Sequence, residues 1–169
     1  MCIHMPTTTD RILSIADARR ASALGAAVRA FAAGSYHRTT IGDVAAAAEI
    51  SPAYVMRLFG SRLSLFLAAL DECHDRIVAA LEQAADAADS DDPEVVLDVM
   101  GAGYAELIAD RSLLMLQVHA LSACDVPEIA EKVRDGYRRV VGLVDERVGA
   151  PGSMVQRPTV ASDRGRRPR

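Results

Sequence analysis

The sequence is poor in aromatic residues and in long apolar runs, and each shortage excludes a class of structure. Only 4% of the 169 residues are aromatic, although half are hydrophobic. The abundant alanine favours close-packed helices over a β-sandwich. No apolar run reaches the roughly 18 residues of a membrane-spanning helix, and the first residues lack a basic-then-apolar signal region. We therefore expect a cytoplasmic protein with no membrane partner.

Motifs that carry chemistry are also missing. Cys2, Cys73 and Cys124 are far apart and form no Cys-x-x-Cys pair, so free thiols are expected rather than a metal or redox site. The sequence has no Gly-x-Ser-x-Gly, no His-Glu-x-x-His and no glycine-rich phosphate loop. These gaps predict a protein that is not an enzyme, with no catalytic residues, no metal and no cofactor.

Charge is distributed unevenly along the chain. Residues 11–62 carry seven arginines and three acidic residues, whereas residues 63–150 carry seven basic and 18 acidic residues. Residues 151–169 are basic again, with five arginines and one aspartate. A basic head on an acidic body fits a head that meets phosphate groups. The alternative is that these charges only solvate the surfaces that carry them.

The stretch from Thr39 to Phe66 predicts two short helices joined by a tight turn. Thr40 and Asp43 have the spacing of a capping box at the start of the first helix. The second helix is predicted from Pro52 to Phe59, capped by Ser51. A helix of barely two turns is unstable alone. This pattern therefore indicates a helix-turn-helix at about residues 40–59, with the second helix offered to the major groove of DNA.

From about Arg20 to Leu70 the chain resembles the DNA-binding domain of the TetR (tetracycline-repressor-like) family of bacterial transcription regulators. The resemblance rests on a string of residues in register: Leu24, Ala26, Ala27, Phe31, Ala32, Tyr36, Thr39, Thr40, Ile41, Asp43, Val44, Ala45, Ala48, Ile50, Ser51, Phe59, Ser61, Leu65 and Phe66. The family usually has glycine where this chain has Ser35 and Glu49, so Glu49 is expected in a left-handed conformation.

The resemblance implies that double-stranded DNA is the partner of this head. The implied contact residues are Thr40, Ser51, Pro52, Ala53, Tyr54, Arg57 and Arg62. Tyr54 and Arg57 would reach base edges or nearby phosphates. Thr40 and Arg62 would hold phosphates and set the register of the head on DNA. Met56 occupies the place of a tyrosine that usually touches phosphate in the family.

Helical periodicity continues after the head, and the sequence predicts an all-α protein. We expect a three-helix head joined by a long helix to an incomplete helical ligand and dimerisation body. The predicted segments are a flexible lead at 1–9, the DNA-binding domain at 10–70, a helical regulatory body at 71–149 and a disordered Arg- and Pro-rich tail at 150–169. The predicted body helices are Arg62–Ala88, one opened by Asp92-Pro93-Glu94, Ser112–Ala123 and one opened by a capping box at Asp125–Glu128. The helix from Ser112 is apolar nearly all round, so it is expected to be enclosed by others.

The resemblance also implies an effector pocket in the body. Met100, Tyr104, Gln117 and His119 are the candidate lining residues for a small apolar effector, and the alternative is that they are core residues with satisfied hydrogen bonds. His119 is not expected to bind a metal, because no second ligand lies three or four residues away.

Two functions remain open from the sequence. The first is a sequence-specific DNA-binding repressor, relieved by a small-molecule effector and acting as the homodimer that the resemblance implies. The family continues with two further long helices that form the dimer, whereas the stretch after Gly149 has no helical stripe. The alternative is therefore a dimerisation-defective TetR-like fragment that acts as a protein-interaction partner or is inactive.

Overall fold

The protein is all-helical in the part that the structure describes. A computed structural model describes the backbone of residues 8–149 and the side chains of residues 17–149. These residues form seven helices and no strand: α1 (Thr8–Arg38), α2 (Ile41–Ala47), α3 (Pro52–Phe59), α4 (Arg62–Ala87), α5 (Pro93–Leu107), α6 (Arg111–Leu121) and α7 (Pro127–Val148). The predicted fold class is confirmed.

The predicted boundaries at the two ends of the chain stay predictions. The lead at residues 1–9 lies outside the described residues except for Thr8 and Thr9, which belong to α1. The tail at 150–169 lies outside the described residues altogether.

Most helix starts follow the predicted capping chemistry. In the Thr40–Asp43 capping box, the Thr40 amide donates to Oδ2 of Asp43 at 2.8 Å, and the Asp43 amide donates to Oγ1 of Thr40 at 3.2 Å. The hydroxyls of Ser51 and Ser61 accept the amides of the third helical residue of α3 and α4 at 3.2 and 2.9 Å. Asp92 caps α5 in the same manner. These side chains satisfy donors that a helix start leaves unpaired.

Two predictions about the body are wrong. The capping box at Asp125–Glu128 does not form, because the N-cap of α7 is Val126 and has no side-chain bond. Asp125 instead lies 3.6 Å from Nε2 of His37, at the end of α1. Helix α6 is not enclosed either: Leu114, Val118 and Leu121 are exposed on one face, while the opposite face packs against α1.

The hydrophobic core runs without interruption from the head into the body. In the head, the ring of Phe66 meets Phe31 edge-on at 4.8 Å between centroids and Tyr36 at 5.0 Å. Helix α4 carries Phe66 in the head and continues the same core with Ile77 and Leu81 in the body. A single rigid element therefore contributes to both halves of the molecule.

Helices α4 and α7 run in the same direction and are joined along their length by ion pairs. These are Asp71–Lys132 at 2.9 Å, Asp75–Arg139 at 2.6 Å and Asp86–Arg147 at 2.6 Å. Each pair is at least partly exposed, so each contributes at most about 1 kcal/mol. Together they favour one pair of contacting faces on α4 and α7.

Among the described helices, none is long and apolar enough by itself to cross a membrane. Only α3 and α4 together pass that test by length and composition, across a bend of 69°.

Candidate functional sites

One face of helix α3 is buried against the rest of the head, and the opposite face is exposed. Val55 is fully buried and Phe59 is 8% exposed, and the two lie one turn apart on the inward face of α3. Pro52, Ala53, Met56 and Arg57 are exposed, and Tyr54 is half-buried. The inward pair fixes the orientation of the helix, so its outward side chains form a rigid convex surface of the kind that enters a major groove.

Tyr54 and Arg57 form a stacked pair on this surface. The guanidinium carbon of Arg57 lies 4.6 Å from the centroid of the Tyr54 ring. Stacking holds a guanidinium in place while its edge remains able to donate to a base or a phosphate. Within the described residues Arg57 forms no ion pair. The structure thus brings two of the predicted contact residues together.

Thr40 lies at the exposed start of α2, but its side chain is already engaged. Its hydroxyl meets Oδ2 of Asp43 at 2.7 Å, and hydrogen bonds from the Thr40 backbone and side chain lower the pKa of that carboxyl. Ser51 likewise accepts the Tyr54 amide as the cap of α3. The structure shows that Thr40 and Ser51 cap the starts of α2 and α3. Phosphate contact by these residues stays a prediction.

The Arg62 side chain forms hydrogen bonds to backbone carbonyl groups of the head. Its Nη1 donates to the carbonyl oxygens of Tyr36 at 3.0 Å, His37 at 3.4 Å and Thr39 at 3.5 Å. The guanidinium carbon also lies 4.5 Å from the centroid of the Tyr36 ring. Arg62 therefore ties the start of α4 to the link between α1 and α2. Its predicted phosphate contact remains a separate prediction.

We expect Arg62→Ala to lower the free energy of unfolding by about 1–2 kcal/mol. The substitution removes charge-assisted hydrogen bonds to carbonyls and a cation–π contact, part of which solvent screens in the wild type. Urea unfolding followed by circular dichroism measures the change. Arg62→Lys keeps the charge but not the planar fork, so it should also destabilise the protein. Full stability in the lysine variant would contradict the structural role.

Arg20, like Arg62, contacts a backbone carbonyl and an aromatic ring, and the sequence did not reveal these contacts. Its Nη1 donates to the carbonyl oxygen of Leu58 at 2.6 Å, and its guanidinium carbon lies 4.5 Å from the Phe59 ring centroid. Arg20 thus holds the end of α3 against α1. A basic residue at this position gives no signal in the sequence, because the partner is a backbone carbonyl 38 residues away.

A cavity of about 300 Å³ lies between α4, α5, α6 and α7. Three of the four predicted effector residues line it: Met100 and Tyr104 on α5 and Gln117 on α6. His119, the fourth, is not among the lining residues, because it is two positions from Gln117 and so lies on a different side of α6. The other lining residues are His74, Ile77, Leu81, Leu97, Gly101, Tyr137, Val140 and Val144.

His74 is the polar residue of this cavity that the sequence analysis did not select. It is only 4% exposed, and its Nδ1 is fully buried. Burial lowers the pKa of the imidazole, and the nearby Arg139 lowers it further, while Asp71, the Leu70 carbonyl and Asp75 have smaller opposite effects. The lowered pKa favours the neutral form of the His74 imidazole.

Gly136 of α7 covers the face of the His74 ring. A Cβ at this glycine would overlap the ring atoms Cε1, Nε2 and Nδ1 about equally, which places it over the ring rather than at its edge. The position is buried. Glycine is needed here because the backbone of α7 approaches the imidazole too closely for any side chain.

The described cysteines behave as the sequence predicted. Cys73 and Cys124 are free thiols, and Cys2 lies outside the described residues. Burial raises the pKa of Cys73 to about 12, so this thiol is protonated and unreactive at neutral pH. Among the described residues no cluster of His, Cys, Asp or Glu could hold a metal ion.

The head has three helices, and the second helix of its helix-turn-helix is exposed. Joined to a helical body, this head has the architecture of a DNA-binding transcription regulator. Residues 23–69 match the family model described as bacterial regulatory proteins, tetR family. The predicted DNA-binding head thus matches the tetR family over these residues, and the resemblance found in the sequence is confirmed there.

Solved structures of regulators share the fold over most of the chain. FadR, a fatty acid degradation regulator from Bacillus halodurans, matches with a TM-score of 0.65 at 21% identity. The match covers 76% of this chain and 68% of the FadR chain. PfmR, a TetR family transcriptional regulator from Thermus thermophilus, has a TM-score of 0.59 at 23% identity, with coverages of 85% and 70%. SCO7518 from Streptomyces coelicolor has a TM-score of 0.65 at 21% identity, with coverages of 76% and 75%. At these identities the likeness is one of fold. No curated protein matches significantly.

Proposed function

We propose that the protein is a transcriptional repressor that binds operator DNA through α3 and is released by a small molecule in the body cavity. The observation that carries the DNA-binding part is the stacked Tyr54–Arg57 pair on the free face of α3. Val55 and Phe59 hold this face outward. The excess of arginine in residues 11–62 attracts the phosphate backbone and adds affinity that does not depend on sequence.

Arg57→Ala should weaken binding to a selected operator about tenfold or more, because a positioned guanidinium contact to a base or phosphate is lost. Fluorescence anisotropy with a labelled duplex measures the affinity at fixed salt. Arg111→Ala is the matched control: it removes the same charge from an exposed position on α6, 54 residues after Arg57 in the sequence. Equal losses in the two variants would show that only net charge matters.

Effector control is supported by the elements that surround the cavity. Helix α4 lines the cavity and continues into the core of the head, and α6 lines it through Gln117 while packing on α1. The His37–Asp125 pair adds a further contact between the end of α1 and the start of α7. A ligand that favours one arrangement of α4 and α6 shifts the head by its difference in affinity between the two states.

The alternative function is an interaction partner that does not bind an operator by itself. One observation favours it: Leu114, Val118 and Leu121 are 37%, 46% and 51% exposed along one face of α6. An exposed apolar row of this kind is typical of a surface that contacts another protein. The same row would serve a homodimer, so the oligomeric state decides between the two functions.

A further inference from the structure

The last turn of α3 is supported by a long side chain from α1. Helix α3 has only eight residues, so it has little stability of its own, and its backbone packs mainly against α2 and α4. Arg20 of α1 reaches it from another side. The Nη1 atom of Arg20 donates to the Leu58 carbonyl oxygen at 2.6 Å, and the guanidinium carbon lies 4.5 Å from the centroid of the Phe59 ring. Arg20 thus contacts both the backbone of α3 and one of its inward side chains.

The position of this contact suits an arginine. The carbonyl groups in the last turn of a helix have no partner within the helix. Here the Met56 carbonyl accepts from the Gly60 amide at 2.8 Å, and the Leu58 carbonyl accepts from Arg20. A cation at this end of a helix also interacts favourably with the helix dipole. The planar guanidinium can stack on a ring while its edge donates a hydrogen bond, which the ammonium group of lysine cannot reproduce.

The supported turn carries the residues proposed to read DNA. Leu58 directly follows Arg57, and the guanidinium of Arg57 stacks on the Tyr54 ring at 4.6 Å. A support at the Leu58 carbonyl therefore fixes the rotation of the turn from which both side chains extend. Groups that bind a partner through directional contacts must be placed within about 0.5 Å and 10–20°. A small rotation of α3 would misplace the stacked pair, although the basic head would still attract phosphate groups.

We propose that Arg20 is a positioning residue for operator recognition: it sets the orientation of α3 through Leu58 and Phe59, and with it the preference for one DNA sequence over another. This inference rests on the proposed operator binding and adds a residue that serves it without touching a base. A phosphate contact by Arg20 would have a different signature, because such a contact adds affinity for any sequence and steepens the salt dependence.

The test compares a selected operator with a scrambled duplex of equal length, using fluorescence anisotropy on the full chain across a salt series. Arg20→Met keeps an unbranched stem beside Phe59 and removes the donor, so the preference for the operator should fall about tenfold, the size of one charge-assisted hydrogen bond. Arg20→Lys keeps the charge but loses the planar fork. It should lose about threefold or more of the preference, with the salt slope and the affinity for the scrambled duplex unchanged.

Arg19→Met is the matched control. Arg19 is the neighbouring exposed arginine on α1, and within the residues whose side chains are described it forms no ion pair. The substitution removes the same charge without touching α3, so the preference for the operator should remain. Equal losses of preference in Arg19→Met and Arg20→Met, or full preference in Arg20→Lys, would overturn the positioning role and leave only a role for charge.

Amide hydrogen exchange on the DNA-free chain separates positioning from a general loss of stability. The Gly60 amide, which closes the end of α3 on the Met56 carbonyl, should exchange faster in Arg20→Lys and Arg20→Met than in the wild type. The Ala48 amide at the end of α2, bonded to the Val44 carbonyl at 2.9 Å, should keep its wild-type rate. Equal acceleration at both amides would show that Arg20 only stabilises the head as a whole, and would overturn the proposal.

Failure of this inference can be told apart from failure of the proposed function. If the wild type prefers the operator and the Arg20 variants prefer it equally well, operator binding stands and the positioning role is overturned. If the wild type binds the operator and the scrambled duplex equally, the proposed function is contradicted, and the role of Arg20 in recognition fails with it.

Discussion

Gly136→Ala should destabilise the protein by about 3 kcal/mol. A methyl group at this position overlaps the buried ring of His74, and forcing extra volume into a packed interior costs about 1–3 kcal/mol or more. The change should appear as a lower urea midpoint with an unaltered slope, followed by circular dichroism.

Gly142→Ala, on the same helix, is the matched control. A Cβ there would meet nothing within 4 Å, so this alanine should stabilise the protein by up to about 1 kcal/mol through helix propensity alone. Combining Gly136→Ala with His74→Ala should recover part of the loss, since the overlapping ring is gone. Additive effects of the two substitutions would show that the ring and the glycine are not in contact.

Ser35→Gly should stabilise the protein by roughly 1–3 kcal/mol. Ser35 has φ 64° and ψ 169° and interrupts α1 just before its last turn. Residues other than glycine rarely adopt these backbone angles, and holding one there costs about 1–3 kcal/mol. Glycine adopts it freely. Thermal or urea unfolding of the purified chain measures the gain.

Ser22→Gly provides the comparison within α1. Ser22 is exposed in the regular part of the helix, where glycine costs about 0.5 kcal/mol relative to serine. Opposite signs for the two serine-to-glycine changes would locate the strain at Ser35. A loss of stability in Ser35→Gly would mean that its side chain contributes more than its backbone costs.

The head could be predicted from the sequence because its signals are local. The Thr40–Asp43 box, the Ser51 cap and the left-handed Glu49, with φ 55° in the structure, each depend on residues within one or two turns. The burial of Val55 and Phe59 follows from their spacing on one short helix. The strain at Ser35 could be anticipated only as a departure from the glycine that the family has there.

The body was harder to predict because its features depend on packing between distant helices. Asp125 was predicted to cap α7, but it lies beside His37, which is 88 positions away along the chain. The spacing of α6 showed that it is apolar on all sides but not which neighbours cover it, so the exposure of Leu114, Val118 and Leu121 was missed.

The residues of the candidate effector site could likewise be predicted only in part. Met100, Tyr104 and Gln117 were found as polar or polarisable residues on apolar helices, and they do line one cavity. His119 was included for the same reason and lies elsewhere. His74 was missed because it looks like one more residue of a long helix, and only the packing of Gly136 against its ring shows why it is buried.

The proposed operator binding is tested most directly by one experiment on the full chain. Its affinity for a selected palindromic duplex and for the corresponding half-site is measured across a salt series, with the oligomeric state determined by size-exclusion chromatography and light scattering. We expect a dimer that prefers the palindrome by about 100-fold or more, because the second head binds at high effective concentration. A monomer that binds both duplexes equally, with affinity set only by salt, would contradict the regulator function and favour the interaction partner.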